Sequence, residues 1–262
     1  MIPLALALVV AAVTLPLTVH RDAGPPDDQT WVATLGTIRL LRAHDPDVAG
    51  MYFDQPTSFA LGGYNGAVSS ASWASEAQFA TDLASGAIAT DVRAVMYDPE
   101  RWPPTPEAEQ RDPVAAIQAF SAAARGAGYQ VIITPHPNLV TVPDAVCGAG
   151  PEESQEEAFL RCGITGAAAR VADVVEVQAQ YLETDTARYA DLVRRAADQA
   201  RAANPAVRVI SGLSTRFAAT SQTLVDAWTA VRGTVDGHYM AVPEQIRPEV
   251  AAGFLRLIAT RP

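Results

Sequence analysis

Two carboxylates separated by a single residue stand at the end of an apolar run in this chain of 262 residues. Residues 95–97 lead into Asp98 and Glu100, with Pro99 between them. Residues two apart on an extended strand point to the same side, so both carboxyl groups are expected to face one space. Adjacent carboxyls raise the pKa of one another, and one of them can then keep a proton near neutral pH. The pair therefore predicts acid–base chemistry, with Asp98 and Glu100 as the catalytic candidates.

Other apolar runs also end in polar side chains. The run TPHPNL supplies His136 and Asn138, and the run VEVQAQY places Glu176, Gln178 and Gln180 on one face. Buried polar groups need partners, so amides between apolar neighbours indicate the lining of a cavity. For Glu176, an ion pair with an arginine inside the core is an equally good interpretation. We predict six substrate-binding residues: Trp102, His136, Asn138, Gln178, Gln180 and Tyr239.

Two of these residues are aromatic, and His136 has unusual neighbours. The faces of Trp102 and Tyr239 could stack on sugar rings, whose C–H groups are apolar; ordinary packing is the alternative interpretation. His136 lies between two prolines, which stiffen its backbone. It could hydrogen-bond a substrate, protonate a leaving group or bind a metal, and a structural role is also open.

Several kinds of chemistry are excluded by what the sequence lacks. All 19 basic residues are arginine, which excludes a Schiff-base lysine, a pyridoxal-phosphate lysine and a phosphate-binding P-loop. GLSTR, residues 212–216, lacks the second glycine of a nucleophile elbow, and no H-E-x-x-H is present. Carboxylate chemistry remains, as glycosidic-bond hydrolysis or as a divalent-metal site made of Asp98, Glu100 and His136.

The strands that would position these residues are visible as short apolar runs. The six clear candidates are residues 50–54, 92–98, 130–134, 173–178, 207–211 and 235–241. A weaker strand covers residues 67–70. An eighth strand must come from the chain before Asp91, around residues 31–41, although that stretch resembles a helix more than a strand.

Helix signals alternate with these runs. Asp112 followed by Pro113 starts one helix, Asp185 or Thr184 can cap a second, and Thr220 can cap a third. The last three predicted helices are residues 186–203, 221–232 and 249–259. Alternating strands and helices predict a parallel α/β sheet. The length favours a closed (β/α)8 barrel of the TIM type; an open doubly wound sheet is the alternative, but no G-x-G-x-x-G follows a strand.

The amino-terminal segment predicts export. Residues 2–19 carry no charged side chain and resemble the apolar region of a secretory signal. We expect residues 1–23 to be a signal peptide or an anchor, residues 24–48 a tether leading into the domain, and residues 49–262 one barrel domain. In an exported protein, Cys147 and Cys162 are expected to form a disulfide.

The amino-acid composition limits the kinds of molecule that this protein could bind. Hydrophobic residues make up 49% of the chain, which is enough for one large core. The formal net charge of −10 argues against nucleic acid, because phosphate binding needs a basic surface. We expect a carbohydrate or another small polar substrate, no cofactor and no metal, and membrane contact only through an uncleaved amino-terminal segment.

The sequence Asp98-Pro99-Glu100 resembles the D-x-E motif of barrel glycoside hydrolases of the chitinase and muramidase type. In those families, the Glu is the general acid and the Asp before it orients or assists the acetamido group of the substrate. The resemblance implies that Glu100 is the acid and Asp98 its partner. The longer pattern D-x-x-D-x-D-x-E is not met, because Met96 occupies the position of one upstream acid. The stretch YDPERW is also similar to uncharacterised secreted bacterial proteins.

Three hypotheses follow. The first is a secreted (β/α)-barrel hydrolase that cleaves a glycosidic bond. The second is a non-catalytic carbohydrate-binding or surface protein on a degenerate barrel, which would gain support if Arg101 or Arg111 locked Asp98 or Glu100 into an ion pair. The third is a metal-dependent lyase or hydrolase that uses Asp98, Glu100 and His136 as ligands.

Overall fold

The computed structural model describes residues 29–261, so the predicted signal peptide and the first five residues of the predicted tether, 24–28, lie outside the described residues. Eight strands form a closed barrel, in which each strand is parallel to the next in chain order and β8 pairs with β1. The strands β1–β8 are Thr30–Thr34, Phe59–Leu61, Val68–Trp73, Ala94–Tyr97, Gln130–Ile133, Val174–Val177, Arg208–Ser214 and Gly237–Ala241. The predicted (β/α)8 barrel is thereby confirmed, and the open sheet is excluded.

Helices surround the barrel and cover its outer face. In the described residues α1–α10 are Leu35–His44, Pro46–Phe53, Glu76–Ser85, Glu107–Arg111, Pro113–Gly126, Gln155–Cys162, Ile164–Ala169, Thr186–Ala203, Ser221–Val231 and Pro248–Ala259. The predicted N-caps of α5, α8 and α9 are all present. The side chains of Asp112, Asp185 and Thr220 each accept a hydrogen bond from a backbone N–H in the first turn, which satisfies a donor that has no partner inside the helix.

One predicted strand is wrong. Residues 50–54 belong to the end of α2, which begins with Asp45 as N-cap and Pro46 in its first turn. The buried residues of α2 are Val48, Ala49, Tyr52 and Phe53. This spacing is helical, and a short apolar run such as GMYF cannot be assigned by periodicity alone.

The first two strands account for the shortfall in the predicted count. Residues 31–41 contain both the end of β1 and most of α1, with Thr34 as the cap between them. The three-residue strand β2 was missed, because three residues are too few for a periodic pattern. Residues 30–44, which we expected to be part of the tether, therefore lie inside the barrel architecture and supply its closing strand.

The barrel interior is divided along its axis. Its lower part, which we call the apolar floor, consists of Val32, Phe59, Leu61, Ala94, Met96, Ile132, Val174 and Ile210. Arg208, at the start of β7, covers the Phe59 ring at 5.3 Å and donates to the Thr30 hydroxyl at 3.2 Å. The floor closes the barrel from below, so polar chemistry can only lie above it, at the carboxyl ends of the strands.

The predicted disulfide is present. Cys147 and Cys162 are joined and close a loop of sequence separation 15 between β5 and the end of α6. Within residues 29–261, no helix has the length and apolarity needed to cross a membrane.

Candidate active site

Asp98 follows directly after β4 and points into the barrel. Its Oδ1 accepts two hydrogen bonds, one from the Thr134 hydroxyl at 2.7 Å and one from Gln178 Nε2 at 2.8 Å. Thr134 and Gln178 follow directly after β5 and β6, so three neighbouring strands deliver these side chains to one point. Burial raises the pKa of Asp98 to about 6, against the two hydrogen bonds, which favour the ionised form.

The amides of Gln178 and Gln180 are linked in series. Gln178 Nε2 also donates to the backbone carbonyl of Thr134 at 2.6 Å, and Gln178 Oε1 accepts from Gln180 Nε2 at 3.2 Å. The two predicted glutamines therefore lie beside Asp98. We call Asp98, Glu100, Glu176, Gln178 and Gln180 the mouth cluster.

Glu100 is half-buried at the rim of the barrel. Its backbone N–H donates to the Thr105 hydroxyl at 3.2 Å, which holds the start of the βα loop. Burial raises the pKa of Glu100 to about 7, the charge of Asp98 adds to this rise, and Gln178 and the Arg216 guanidinium oppose it. At neutral pH this carboxyl is therefore divided between its acid and its base form.

The arginines that could have locked these carboxyls have other partners. Arg101 donates to the Thr141 hydroxyl at 2.9 Å, and Arg111 forms an ion pair with Glu107 at 2.8 Å. None of the ion pairs between described residues includes Asp98, Glu100 or Glu176. The interpretation of Glu176 as half of a core ion pair therefore finds no partner among them.

Glu176 lies inside β6 and points to the barrel axis. It is buried, and burial together with the charges of Asp98 and Glu100 holds its pKa well above the usual range. Its Oε1 lies over Gly212 of β7, where an added Cβ would meet it at 2.6 Å. The glycine therefore makes the space that this carboxyl occupies.

Tyr239 of β8 is packed on the apolar floor. Burial raises the pKa of its hydroxyl far above the ordinary value, and the charges of Glu176, Asp98 and Glu100 add to the rise. Tyr239 is thus neutral, and its hydroxyl lies within the electrostatic influence of all three carboxyls.

His136 and Asn138 lie in the turn after β5. The Nδ1 atom of His136 accepts from the Asn138 backbone N–H at 3.0 Å, and its ring is 5.8 Å from that of Tyr181. Burial lowers the pKa of His136 to about 4, so the ring is neutral at physiological pH. The Asn138 side chain accepts from the Arg101 backbone N–H at 2.9 Å, which ties this turn to the loop that carries Glu100.

Trp102 stands in that same loop, with 39% of its surface exposed. Its Nε1 donates to the Thr105 hydroxyl at 2.9 Å, the oxygen that also accepts from Glu100. The indole face is free to meet a ligand, while its edge is fixed to the acid-bearing loop.

Sequence reasoning missed Gly212, Arg216 and Glu183. Gly212 was visible only as part of a failed nucleophile elbow, although glycine inside a strand is a signal for close approach of another group. Arg216, in the loop after β7, forms an ion pair with Glu244 at 2.8 Å, and its charge lowers the pKa of Glu100. Glu183 is buried and accepts from the Ser214 N–H at the end of β7, a contact that nothing local in the sequence indicates.

No three His, Cys, Asp or Glu side chains within residues 29–261 converge as a metal site. The hypothesis of a metal held by Asp98, Glu100 and His136 therefore gains no support from the geometry.

The fold and the mouth cluster together define the class: a (β/α)8-barrel protein with carboxyl and amide side chains at the carboxyl ends of its strands. No protein-family model matches the chain, and no curated protein matches it. A solved structure that matches is thiamine phosphate pyrophosphorylase from Pyrococcus furiosus, with 11% identity, a TM-score of 0.23, and coverage of 89% of this chain and 96% of that chain. A likeness of this size carries no argument about activity.

Proposed function

We propose that this protein is an exported hydrolase that cleaves a glycosidic bond, with Glu100 as general acid and base and Asp98 as its charged partner. The observation that carries the proposal is the environment of the Glu100 carboxyl group. It is half-buried, next to a second carboxyl, has a pKa of about 7 and forms no ion pair with Arg101 or Arg111. A carboxyl used only to stabilise a fold has no need of this arrangement.

The two carboxyls receive different numbers of donors, and this assigns their roles. Thr134 and Gln178 both donate to Asp98 and favour its charged form. The charge of Asp98 adds to the effect of burial in raising the pKa of Glu100 to about 7, and we therefore assign the proton to Glu100. Glu100 can then protonate the leaving oxygen, while the negative charge of Asp98 stabilises the positive charge that develops at the sugar ring.

Three other predicted residues support a carbohydrate as the substrate. Trp102 offers an exposed aromatic face in the loop of Glu100, and the neutral Tyr239 hydroxyl lies within the electrostatic influence of the carboxyls. The neutral ring of His136 can hydrogen-bond a hydroxyl but does not carry a positive charge at neutral pH. A carbohydrate suits such a lining, because it presents both hydroxyl groups and apolar C–H faces.

The proposal is tested by incubating the purified protein with a panel of polysaccharides, chitin oligosaccharides and peptidoglycan, and measuring new reducing ends. The wild type is compared with Glu100→Gln and with Glu107→Gln, an exposed acid at the start of α4, the helix that follows the same loop. We expect wild type and Glu107→Gln to cleave one member of the panel and Glu100→Gln to fail.

Two results would contradict this function. Cleavage by Glu100→Gln at the wild-type rate would remove the assigned acid. Tight binding of a glycan without any cleavage by the wild type would instead favour a carbohydrate-binding protein on the same barrel.

A further inference from the structure

The glutamine side chains of the mouth cluster have a fixed direction. Gln178 Nε2 faces two acceptors, Asp98 Oδ1 and the Thr134 carbonyl, so this amide cannot be turned round without placing an oxygen against two oxygens. Gln178 Oε1 then needs a donor and receives one from Gln180 Nε2 at 3.2 Å. The hydrogen bonds therefore run from Gln180 through Gln178 to Asp98, and Gln180 Oε1 is left at the far end.

That far end has no protein partner in the hydrogen-bond pattern. Gln180 Oε1 is buried and accepts no hydrogen bond from any described residue. An unpartnered buried acceptor is destabilising, which makes this atom an exception that needs an explanation.

Glu176 is the group next to that atom. A Cβ placed on Gly212 would lie 2.5 Å from Gln180 Oε1 and 2.6 Å from Glu176 Oε1. Two oxygens that close to one point are at most about 5 Å apart, and both depend on the missing side chain of Gly212 for their space. The glutamate and the orphan oxygen thus share the space that the missing side chain of Gly212 leaves over β7.

Burial and two neighbouring acids disfavour a negative charge on Glu176. Asp98 and Glu100 face it from the end of β4, Tyr239 from β8 and Tyr189 from α8. Two of these neighbours are acids and two are neutral hydroxyl groups. A carboxyl in this setting keeps its proton, and a protonated carboxyl is a hydrogen-bond donor.

We propose that Glu176 is a positioning residue which, as a neutral carboxylic acid, donates a hydrogen bond to Gln180 Oε1 and thereby holds both glutamine amides in the direction that makes Gln178 donate to Asp98. Its effect on catalysis rests on the proposed function, whereas its effect on Asp98 does not. An ionised Glu176 would set an oxygen against Gln180 Oε1 and favour the reversed Gln180 amide. Gln178 would then lose its donor, and its hold on Asp98 would weaken.

Two substitutions of similar size separate this role from simple packing. Glu176→Gln retains a donor in the same place, because its amide N–H can replace the carboxylic O–H. Glu176→Met retains the volume but has no donor. Gln180→Met breaks the same series of hydrogen bonds at its second member and leaves Glu176 in place.

The test follows the carboxyl carbons by NMR as a function of pH, in protein labelled with ¹³C at the Asp and Glu side chains. In the wild type we expect the Glu176 signal to remain that of a neutral carboxyl through pH 7. In Glu176→Met and in Gln180→Met the pKa of Asp98 should rise by about one unit, the size expected when one donor to a carboxylate is lost. In Glu176→Gln it should stay near the wild-type value.

Activity on whichever glycan the wild type cleaves gives the second measurement. We expect kcat of Glu176→Met to fall roughly ten-fold with little change in KM, and Glu176→Gln to recover most of that loss. An ionised Glu176 signal at pH 6 would overturn the proposal, as would equal Asp98 pKa values in the Gln and Met variants. A wild type that cleaves no glycan but shows the expected titrations would overturn only the proposed function.

Discussion

Glu109 and the mouth cluster both take carboxyl groups out of water, but the chain supplies them with very different partners. Glu109 of α4 is buried beneath the start of α3. It accepts from the Ser75 hydroxyl at 3.0 Å, from the backbone N–H groups of Glu76 and Ala77 at 2.8 and 3.2 Å, and from the Tyr97 hydroxyl at 2.7 Å. Each oxygen has two donors, and the positive end of a helix adds to their effect.

The same strand serves both places. Tyr97 points outward from β4 to Glu109, and Asp98, the next residue, points inward to the mouth cluster. Glu109 has four donors, whereas Asp98 in the mouth cluster has two. Burial raises the pKa of both Asp98 and Glu100. A carboxylate with a structural role thus receives all its hydrogen bonds from the protein itself. A carboxylate suited to chemistry receives fewer, and it can still bind a proton or a ligand.

The largest expected effect is the loss of activity in Glu100→Gln. The amide cannot donate and recover a proton as the acid does, so kcat should fall on the order of a thousand-fold. The folded state loses no ion pair, and the melting temperature should stay within a degree or two. Steady-state kinetics on the cleaved glycan and a thermal melt give both values.

A large drop in melting temperature for Glu100→Gln would erase the contrast with Glu109, because Glu100 would then also be structural. Glu107→Gln, at an exposed position at the start of α4, controls for the loss of a charge.

Glu109→Gln is expected to show the reverse behaviour. It replaces one acceptor oxygen by an N–H group that faces two donors, and we expect a loss of roughly 3 kcal/mol in the free energy of unfolding. Activity per folded molecule should change little. Denaturant unfolding monitored by circular dichroism measures the loss, and a destabilisation below about 1 kcal/mol would mean that the buried helix cap contributes little to stability.

Much of the barrel could be predicted from the sequence, because five of its strands are apolar runs separated by capped helices. β1 and β2 could not, since Thr30–Thr34 passes into α1 without a break and Phe59–Leu61 is too short for a pattern. Residues 50–54 were misassigned for a related reason: over five residues, helical and strand periodicities are hard to tell apart.

For the site, residue types at strand ends predicted which side chains face the mouth, but not how they are connected. Gln178 and Asp98 are 80 positions apart in the sequence, and their hydrogen bond exists only because β4, β5 and β6 are adjacent. The space over Gly212, which decides the environment of Glu176, likewise comes from a neighbouring strand.

Glu183 is intermediate between Glu109, whose oxygens all have donors, and the carboxyls of the mouth cluster. The backbone N–H of Ser214 donates to Oε1, while Oε2 is buried without a partner among the described residues. Burial raises its pKa from 4.5 to about 9. Between these values the folded state binds more protons than the unfolded state, so Glu183 lowers stability progressively as the pH rises from 4.5 to 9.

Glu183→Gln should remove that pH dependence while preserving the acceptor for Ser214. At pH 8 we expect the variant to be more stable than the wild type by roughly 4 to 5 kcal/mol, and at pH 4 to be nearly equal. Unfolding free energies at pH 4, 6 and 8 measure the difference. A variant that is less stable at every pH would show that Glu183 is satisfied in the manner of Glu109.

The pH profile of kcat/KM tests whether Asp98 and Glu100 titrate at the raised pKa values expected for their surroundings. Activity requires Asp98 ionised and Glu100 protonated, with pKa values of about 6 and 7. The profile should therefore be bell-shaped with its maximum between these values, and should fall up to ten-fold for each further pH unit on either side. A flat profile from pH 5 to 8 would exclude this pair as the acid and its partner.

The smallest expected effect concerns Trp102, whose indole face is exposed but whose edge is fixed through Thr105 to the Glu100 loop. If the ring serves as a stacking surface for sugar, Trp102→Ala should raise KM by roughly three- to ten-fold and leave kcat unchanged. Leu257→Ala, at an equally exposed position on α10, controls for the loss of surface apolar area.

Trp102→Phe retains the face and loses the hydrogen bond to Thr105, so a KM near that of the wild type would assign the effect to stacking. A fall in kcat in both Trp102 variants would instead show that the ring acts by holding Glu100 in place. Trp102 would then be a residue that positions the mouth cluster and not one that binds substrate.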